Sequence, residues 1–395
     1  MDAIPHVARE GAPWDRPCRN EVPELVTHTQ PCDTLRPARP EDLAALVALE
    51  QACFSGDRIS RRSFRRFLDS PGAVLIVAEA AGGLRGYALL LFRAGTALAR
   101  LYSLAVDPQA RGAGLAARLL AAAEREAFER DRIVLRLELR EDNEAARRLY
   151  LGAGYRPLGR VPEYYEDGTA ALRMEKRLHG EGLPASRVPY YPQTTDFSCG
   201  PACLLMTLAH FDKHLVADEA LELRLWRETT MIYLAAGHGG CGPFGLGVAG
   251  AKRGLGVEVR LSPPGPLFIS SVRDPAKRRV MEIVQEDYRR EAAELGVVSS
   301  NDPLPARGLA EEIAGGALAI VLISESRMMG RKGPHWVLVH NQDDRHLFIH
   351  DPWLGYGGME TPADAANLPI PDREFERMAR WGRMAVRAQV IFRKA

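Results

Sequence analysis

The sequence predicts two consecutive domains of mixed α/β class, an α/β domain followed by an α+β domain. Three observations carry this. At 395 residues the chain is long for a single domain. A strand pattern, Leu101 to Val106, runs through a Gly112-x-Gly114 turn into a helix pattern with Leu115, Leu119, Ala122 and Ala123 on one face. Further on, Ser198-Cys-Gly-Pro runs directly into a second helix pattern, with Ala202, Leu205, Met206 and Ala209 at helical spacing. Between the two lies His179-Gly-Glu-Gly-Leu-Pro-Ala-Ser186, a Gly/Pro-bearing joint that marks the boundary.

Composition narrows the class. Apolar residues make up 46% and charged residues 26%, as in an ordinary globular protein, and a formal net charge of +1 gives no reason to expect nucleic acid as partner. The six cysteines show neither the density of a disulfide framework nor paired metal-ligand spacing, so a reducing compartment is expected. The start of the chain carries no apolar signal core and no run of eighteen apolar residues occurs, so a cytoplasmic protein without a membrane partner is expected.

Residues 1–33 show no hydrophobic period and read as a poorly ordered segment; Cys18, His28 and Cys32 lie in it without metal-ligand spacing. The first domain, 34–178, opens with a short strand at Leu35 and a helix start at Pro40-Glu-Asp, followed by Leu43, Leu46, Val47 and Leu49. Strands are predicted from Ala73 to Glu79 and Arg85 to Arg93, joined by Gly82-Gly83. From Ile133 to Leu139 the leucines alternate with Arg136 and Glu138, a half-buried strand. Asp142-Asn143 then caps a helix holding Leu149 and Tyr150, ended by Gly152-Ala-Gly-Tyr155.

Bare backbone amides at a strand-to-helix turn can wrap a phosphate, helped by the helix dipole. A Gly-x-Gly turn alone is equally explained by close helix packing. The fuller pattern Gln109-x-x-Gly112-x-Gly114 resembles the pyrophosphate-binding motif of the GCN5-related N-acetyltransferases (GNAT). Leu-Glu138-Leu, Asn143, Leu-Tyr150 and Gly154-Tyr155 resemble the ribosomal-protein-alanine acetyltransferase branch of that family. The resemblance spans about residues 34–178 and implies acetyl-CoA as cofactor. It implies that the backbone of Leu104, Ala105 and Val106 binds the pantetheine arm, that Arg111, Gly112, Ala113, Gly114, Leu115 and Ala116 hold the pyrophosphate, and that Asn143 binds the cofactor. Glu138 would be the general base for the amine, through water, and Tyr150 the acid for the departing thiolate. From the residues alone, a solvated strand residue at Glu138 and a core aromatic with a satisfied hydroxyl at Tyr150 are the lesser readings. Tyr164 and Tyr165 read as lining of an acceptor groove or as packing.

After the linker, 179–186, the second domain covers 187–395. Its organising stretch is Tyr190 to Asp212, in which Cys199 stands just before a helix whose dipole favours the thiolate. Gln193, six residues upstream, can fold its amide beside the sulfur as an oxyanion donor. A charged helix follows from Asp218 to Arg227, then a glycine-rich passage with a second Cys-Gly-Pro at Cys241, which lacks an upstream Gln and reads as a structural or groove-lining thiol in a flexible loop, with a helix start expected soon after it. Val257 to Leu261 and Ala317 to Ile323 read as strands, and Pro275 to Leu295 as a strongly charged helix. His335 to Asn341 and His346 to His350 alternate as a hairpin, which brings His335 beside Asp351. Asp351 would orient His335, and His335 would deprotonate Cys199. His340, His346 and His350 are divided between sheet faces, so no metal is expected.

The Gln193-to-Cys199 spacing, with His335 and Asp351 downstream, resembles the papain-like cysteine peptidases, and the wording around Cys199 resembles the branch that cleaves double-glycine leader peptides. The resemblances together imply a bifunctional enzyme. An acetyl-CoA-dependent N-acetyltransferase acts on a primary amine of a peptide or protein, beside a Cys-His-Asp domain that cleaves or transfers a peptide acyl group. Two other readings stay open: a papain-like half that only binds peptides, and an acetyltransferase half that senses coenzyme A.

Overall fold

The computed structural model describes residues 33–178, 186–234, 237–328, 333–354 and 362–395. The segment expected over 1–33, with Cys18, His28 and Cys32, and the joint over 179–186 lie outside the described residues except for Asp33 and Ser186. The chain forms two compact units. Among the described residues the first comprises 33–91, 100–130 and 135–176, and the second comprises 92–99, 131–134 and those from 177 onward.

In the first unit the elements run β1 (Thr34–Pro37), α1 (Leu43–Cys53), α2 (Arg61–Asp69), β2 (Ala73–Ala80), β3 (Gly83–Phe92), β4 (Leu98–Val106), α3 (Leu115–Glu129), β5 (Val134–Arg140), α4 (Glu144–Gly152), β6 (Arg156–Val161) and β7 (Ala171–Arg177). The seven strands form one sheet in the order β1-β2-β3-β4-β5-β7-β6. Ser60 starts α2 by accepting the Ser63 N–H, and Asn143 starts α4 by accepting the Ala146 N–H at 3.0 Å. Leu119, Ala123, Leu135 and Leu137 are all buried, as their periodicity predicts.

The alternation on β5 has a different meaning from the expected half-solvated strand. Arg136 is buried and its Nε donates to Glu175 at 3.0 Å, and the side chain of Glu138, 4% exposed, lies between two arginines. Both faces of β5 are covered, so its charged residues need partners inside the unit.

The second unit continues with α5 (Cys199–Phe211), α6 (Glu219–Thr229), the short strands β8 (Tyr233–Leu234) and β9 (Gly237–His238), α7 (Pro243–Ala251), β10 (Leu255–Ser262), α8 (Pro275–Glu294), β11 (Val298–Ser300), α9 (Ala306–Ala314), β12 (Leu318–Ser324), β13 (Pro334–Gln342), β14 (His346–His350), α10 (Pro362–Ala365), β15 (Leu368–Pro371), α11 (Asp372–Met378) and β16 (Arg387–Lys394). Seven of these strands form a sheet in the order β11-β10-β16-β12-β13-β14-β15, antiparallel except between β10 and β11.

The sheet is covered on both faces, which explains why β12 reads as an unbroken apolar run. Leu318, Ile320 and Leu322 pack with Leu204, Leu205, Leu246 and Phe392. Ala319, Val321 and Ile323 pack on the other side with Leu309, Ile313 and Phe375, and with Leu98 and Val134.

The helix expected soon after Cys241 begins at Pro243 and takes up the rest of the glycine-rich passage to Ala251. A Cβ on Gly245 would stand 2.7 Å from the Thr229 carbonyl oxygen, and one on Gly250 would stand 2.5 Å from Phe392. Glycine in a helix costs roughly 1 kcal/mol relative to alanine. Here it lets α7 lie closer to α6 and β16 than any side chain would permit.

Candidate active sites

In the first unit, β4 ends at Val106 and Asp107 accepts the Gln109 N–H at 2.8 Å, which shapes the turn that follows. Gly112 and Gly114 both have positive φ, +83° and +77°. Gly114 caps α3 without any side-chain acceptor, so the first-turn N–H groups of this helix are left to an outside partner. A Cβ on either glycine would meet nothing within 4 Å; their role is backbone conformation and open approach, not tight packing. Arg111 donates through Nε to the Val106 carbonyl at 3.3 Å, closing the loop onto the end of β4.

Glu138 is engaged from two sides. Arg100 reaches one carboxylate oxygen at 3.0 Å and Arg173 the other at 3.3 Å. Arg100 also donates to the Tyr164 hydroxyl at 3.0 Å. Tyr150, the buried residue of α4, lies 5.5 Å from the ring of Tyr155, and burial pushes its hydroxyl pKa well up, so the phenol keeps its proton. The Asn143 side-chain oxygen is committed to capping α4, which leaves its amide nitrogen for other contacts.

Periodicity did not reveal the arginines around Glu138, nor Glu50 on α1. Burial pushes the Glu50 carboxyl upward, against hydrogen bonds from the Tyr87 hydroxyl and the Ile59 N–H. Tyr87 also meets Ser103 of β4 at 2.8 Å. An acid in the apolar stripe of α1 was the one sequence signal for it.

In the second unit, Cys199 is the first residue of α5, inside the helix rather than before it, and Pro201 falls in its first turn. The β13–β14 hairpin pairs Leu338 with His350 and carries a bulge between Val339 and Asn341. His335 Nε2 and Asp351 Oδ1 stand 2.7 Å apart, both groups buried. The Trp353 N–H donates to the same oxygen at 3.0 Å. The Cys199 thiol is near enough to the imidazole to favour its charged form. Burial works to lower the imidazole pKa, yet the Asp351 carboxylate and Cys199 together raise it to about 10. Burial likewise opposes the charge on Asp351, but Arg93 and His335 hold its pKa below the usual carboxylate value.

Other groups shape the loop before Cys199. The Gln193 N–H donates to the Pro352 carbonyl at 2.8 Å, tying the loop to the segment after Asp351. Its side-chain Nε2 donates to the Thr195 carbonyl at 2.6 Å, while Oε1 is buried without a partner. Glu222 on α6, fully buried, accepts from the Tyr191 hydroxyl, the Thr194 N–H and hydroxyl, and the Ser198 hydroxyl, at 2.5–3.0 Å. Glu325 approaches His335 Nδ1 at 3.7 Å. Neither glutamate stood out in the sequence. Cys203 on α5 and Cys241 just before α7 are poor nucleophiles: burial raises the pKa of both, and Cys241 meets the Thr229 hydroxyl at 2.9 Å. Cys241 forms a bridge with Thr230 rather than lying in a loose loop.

A model of the Peptidase_C39 like family matches residues 188–393, and one of the acetyltransferase (GNAT) domain matches 36–178. The chain belongs to both families. The N-alpha-acetyltransferase RimI of Mycobacterium tuberculosis is 33% identical over 143 residues, 35% of this chain and 89% of that protein. An uncharacterized N-acetyltransferase of Methanocaldococcus jannaschii is 38% identical over 102 residues, 26% of this chain, and the match spans 64% of that protein's length. Among solved structures, the ribosomal-protein-alanine N-acetyltransferase from Brucella melitensis is similar at 26% identity, covering 36% of this chain and 98% of that one, with a TM-score of 0.32.

The N-terminal part of the chain is thus an N-acetyltransferase of the GNAT family, and its cofactor is acetyl-CoA. The uncapped, glycine-opened start of α3 fits a pyrophosphate. Among the described residues no cluster of His, Cys, Asp or Glu is arranged to hold a metal, and no helix is long and apolar enough to cross a membrane.

Proposed function

We propose that the chain is a bifunctional enzyme. Its GNAT part acetylates the amino terminus of a peptide or protein, and its Peptidase_C39-like part cleaves or transfers a peptide acyl group through Cys199. The carrying observation for the second activity is the buried 2.7 Å contact of His335 with Asp351, with Cys199 near enough to raise the imidazole pKa.

When bound, acetyl-CoA supplies an acetyl thioester open to attack by a neutral amine. Glu138 takes the proton of the incoming ammonium, through water, in competition with the Arg100 and Arg173 donors it already accepts. Tyr150 holds a proton on its buried hydroxyl for the departing sulfur. The amides of Arg111 to Ala116 and the backbone of Leu104 to Val106 bind the cofactor, and Asn143 adds its free amide. The name of the RimI relative supports an α-amino acceptor.

In the second part, Cys199 gives its thiol proton to His335 before the attack, forming a thiolate–imidazolium pair that the raised imidazole pKa favours, and Sγ then adds to the substrate carbonyl carbon. The C–N bond breaks and His335 returns that proton to the leaving amine. Water then attacks the thioester, giving one proton to His335, and the acid leaves with the thiol restored. An amine in place of water gives acyl transfer. Gln193 has a second N–H beyond the one given to Thr195, and this is the donor for the developing oxyanion.

Incubation with a mixed peptide library, read by mass spectrometry, tests this. New termini should form with the wild type and vanish in Cys199→Ser and His335→Ala. Cleavage that persists in both variants, or none with the wild type, refutes it. A peptide-binding module without catalysis is the second reading, favoured by the engagement of the Gln193 amide with Thr195. It predicts that Cys199→Ala binds peptides and retains every function of the wild type.

A further inference from the structure

Asp351 makes a contact that a Cys-His-Asp arrangement does not require. Its Oδ1 meets His335, and its Oδ2 receives Arg93 Nη2 at 2.5 Å. Asp351 is fully buried and the Arg93 side chain is 10% exposed. Arg93 lies in the turn between β3 and β4, in the stretch 92–99 that belongs to the second unit. That turn is held in place: Arg93 Nη1 donates to the Asp364 carbonyl at 2.6 Å, the Ala97 N–H donates to the Pro369 carbonyl at 2.7 Å, and Leu98 is packed in the core.

We infer that Arg93 is a positioning residue of the Cys199 site: its guanidinium and the imidazole of His335 divide the Asp351 carboxylate, one oxygen each, so that the aspartate stays ionised and aimed. This rests on the proposed roles of Cys199, His335 and Asp351. The physics is that of a buried carboxylate. One ion pair with an imidazolium that gains and loses its proton leaves Asp351 uncompensated whenever the ring is neutral, which is costly inside a protein. A guanidinium is always charged, and its planar fork reaches both the carboxylate and the Asp364 carbonyl. Asp351 can then remain an anion through both states of His335, and the geometry at Oδ1 is preserved.

Several groups face this carboxylate and its histidine. Arg93 comes from the β3–β4 turn and His335 from β13; the Cys199 and Cys203 thiols come from α5, and Glu325 lies 3.7 Å from the His335 ring. Arg93 is the permanent cation in contact with Asp351. Its loss shifts protonation of Asp351 to higher pH, because burial then acts with one counter-charge fewer.

The test is the rate of Cys199 alkylation by iodoacetamide against pH, on the full chain, with thermal melting to confirm folding. In Arg93→Met the acid limb should move up by a unit or more, so that labelling on that limb slows about tenfold, while the plateau stays within about twofold. Arg93→Lys should return the limb toward the wild-type position. If Arg93→Met does not fold, Arg93→Gln against Arg93→Lys decides by the same criteria. A limb that does not move, or a rate that falls by one factor at every pH, overturns the inference and leaves the cysteine site standing. Wild-type labelling that ignores His335→Ala overturns the site itself, and the role of Arg93 with it.

Discussion

Replacing Glu222 by alanine should loosen the nucleophile's loop from a distance, without touching Cys199. Glu222 is wholly buried on α6 and gathers four donors from Tyr191, Thr194 and Ser198, the residues that lead into α5. A hydrogen bond to a charged acceptor is worth about 1.5–3 kcal/mol. The four do not add, because Thr194 is exposed and Tyr191 half-buried, and both regain water in the variant. Ser198 is buried and keeps only its contacts with Thr195. A loss of about 2–4 kcal/mol follows. In urea this moves the unfolding midpoint of the second unit down by about 1 M, given a slope of roughly 2–3 kcal/mol per molar. Tryptophan fluorescence reads the midpoint, because Trp226 on the same helix and Trp336 on β13 both belong to this unit. The same variant should label more slowly at Cys199 in its folded state, by roughly tenfold, while acetyl transfer continues. Stability within about 1 kcal/mol of wild type, with labelling unchanged, would refute the idea that Glu222 organises the loop.

Other outcomes follow from the same geometry. With His335 raised to about 10 from an ordinary value near 6.5, its contribution to stability is complete below about pH 6.5 and is lost as pH rises through about 10. Urea midpoints for the second unit should therefore fall between pH 7 and 10, and much less so in His335→Gln. Gly250→Ala should cost about 1–3 kcal/mol, because the new Cβ would stand 2.5 Å from Phe392, and calorimetry would show a lower transition. Glu138→Gln should lower kcat for acetyl transfer about 10²-fold with little change in the KM for acetyl-CoA, as measured by thiol release. Gly114→Ala should instead raise that KM, since its φ of +77° strains any residue with a Cβ and bends the start of α3.

What could be read in the sequence divides by the range of the physics. Alternation along β13 and β14 was enough to bring His335 next to Asp351, because a hairpin fixes which residues face each other. Strand, Gly-x-Gly and helix were equally legible around Gly112, since each is a local pattern. The helix start at Cys199 was legible too, from the apolar spacing that follows Pro201. The failures are of another kind. The extent of α7 hid behind glycines whose reason is a close approach to Thr229 and Phe392, residues of other elements. Glu138 and Arg136 look solvated on a strand that is in fact covered on both faces, and Glu222 looks like one more charge on a polar helix. Arg93 stands 258 positions from its carboxylate, and no period or spacing connects them. Buried charges are chosen by their partners, and partners are a tertiary fact.

The central claim is that Cys199 and His335 work as a pair. It is tested most directly by intact mass after brief exposure to limiting iodoacetamide between pH 5 and 8, followed by peptide mapping of wild type and His335→Ala. The account predicts fast modification confined to Cys199 across this range, slowed markedly in His335→Ala, with Cys203 and Cys241 untouched behind their burial. Slow labelling spread over several cysteines, and unchanged in the variant, would contradict it and leave acetyl transfer as the chemistry of this chain.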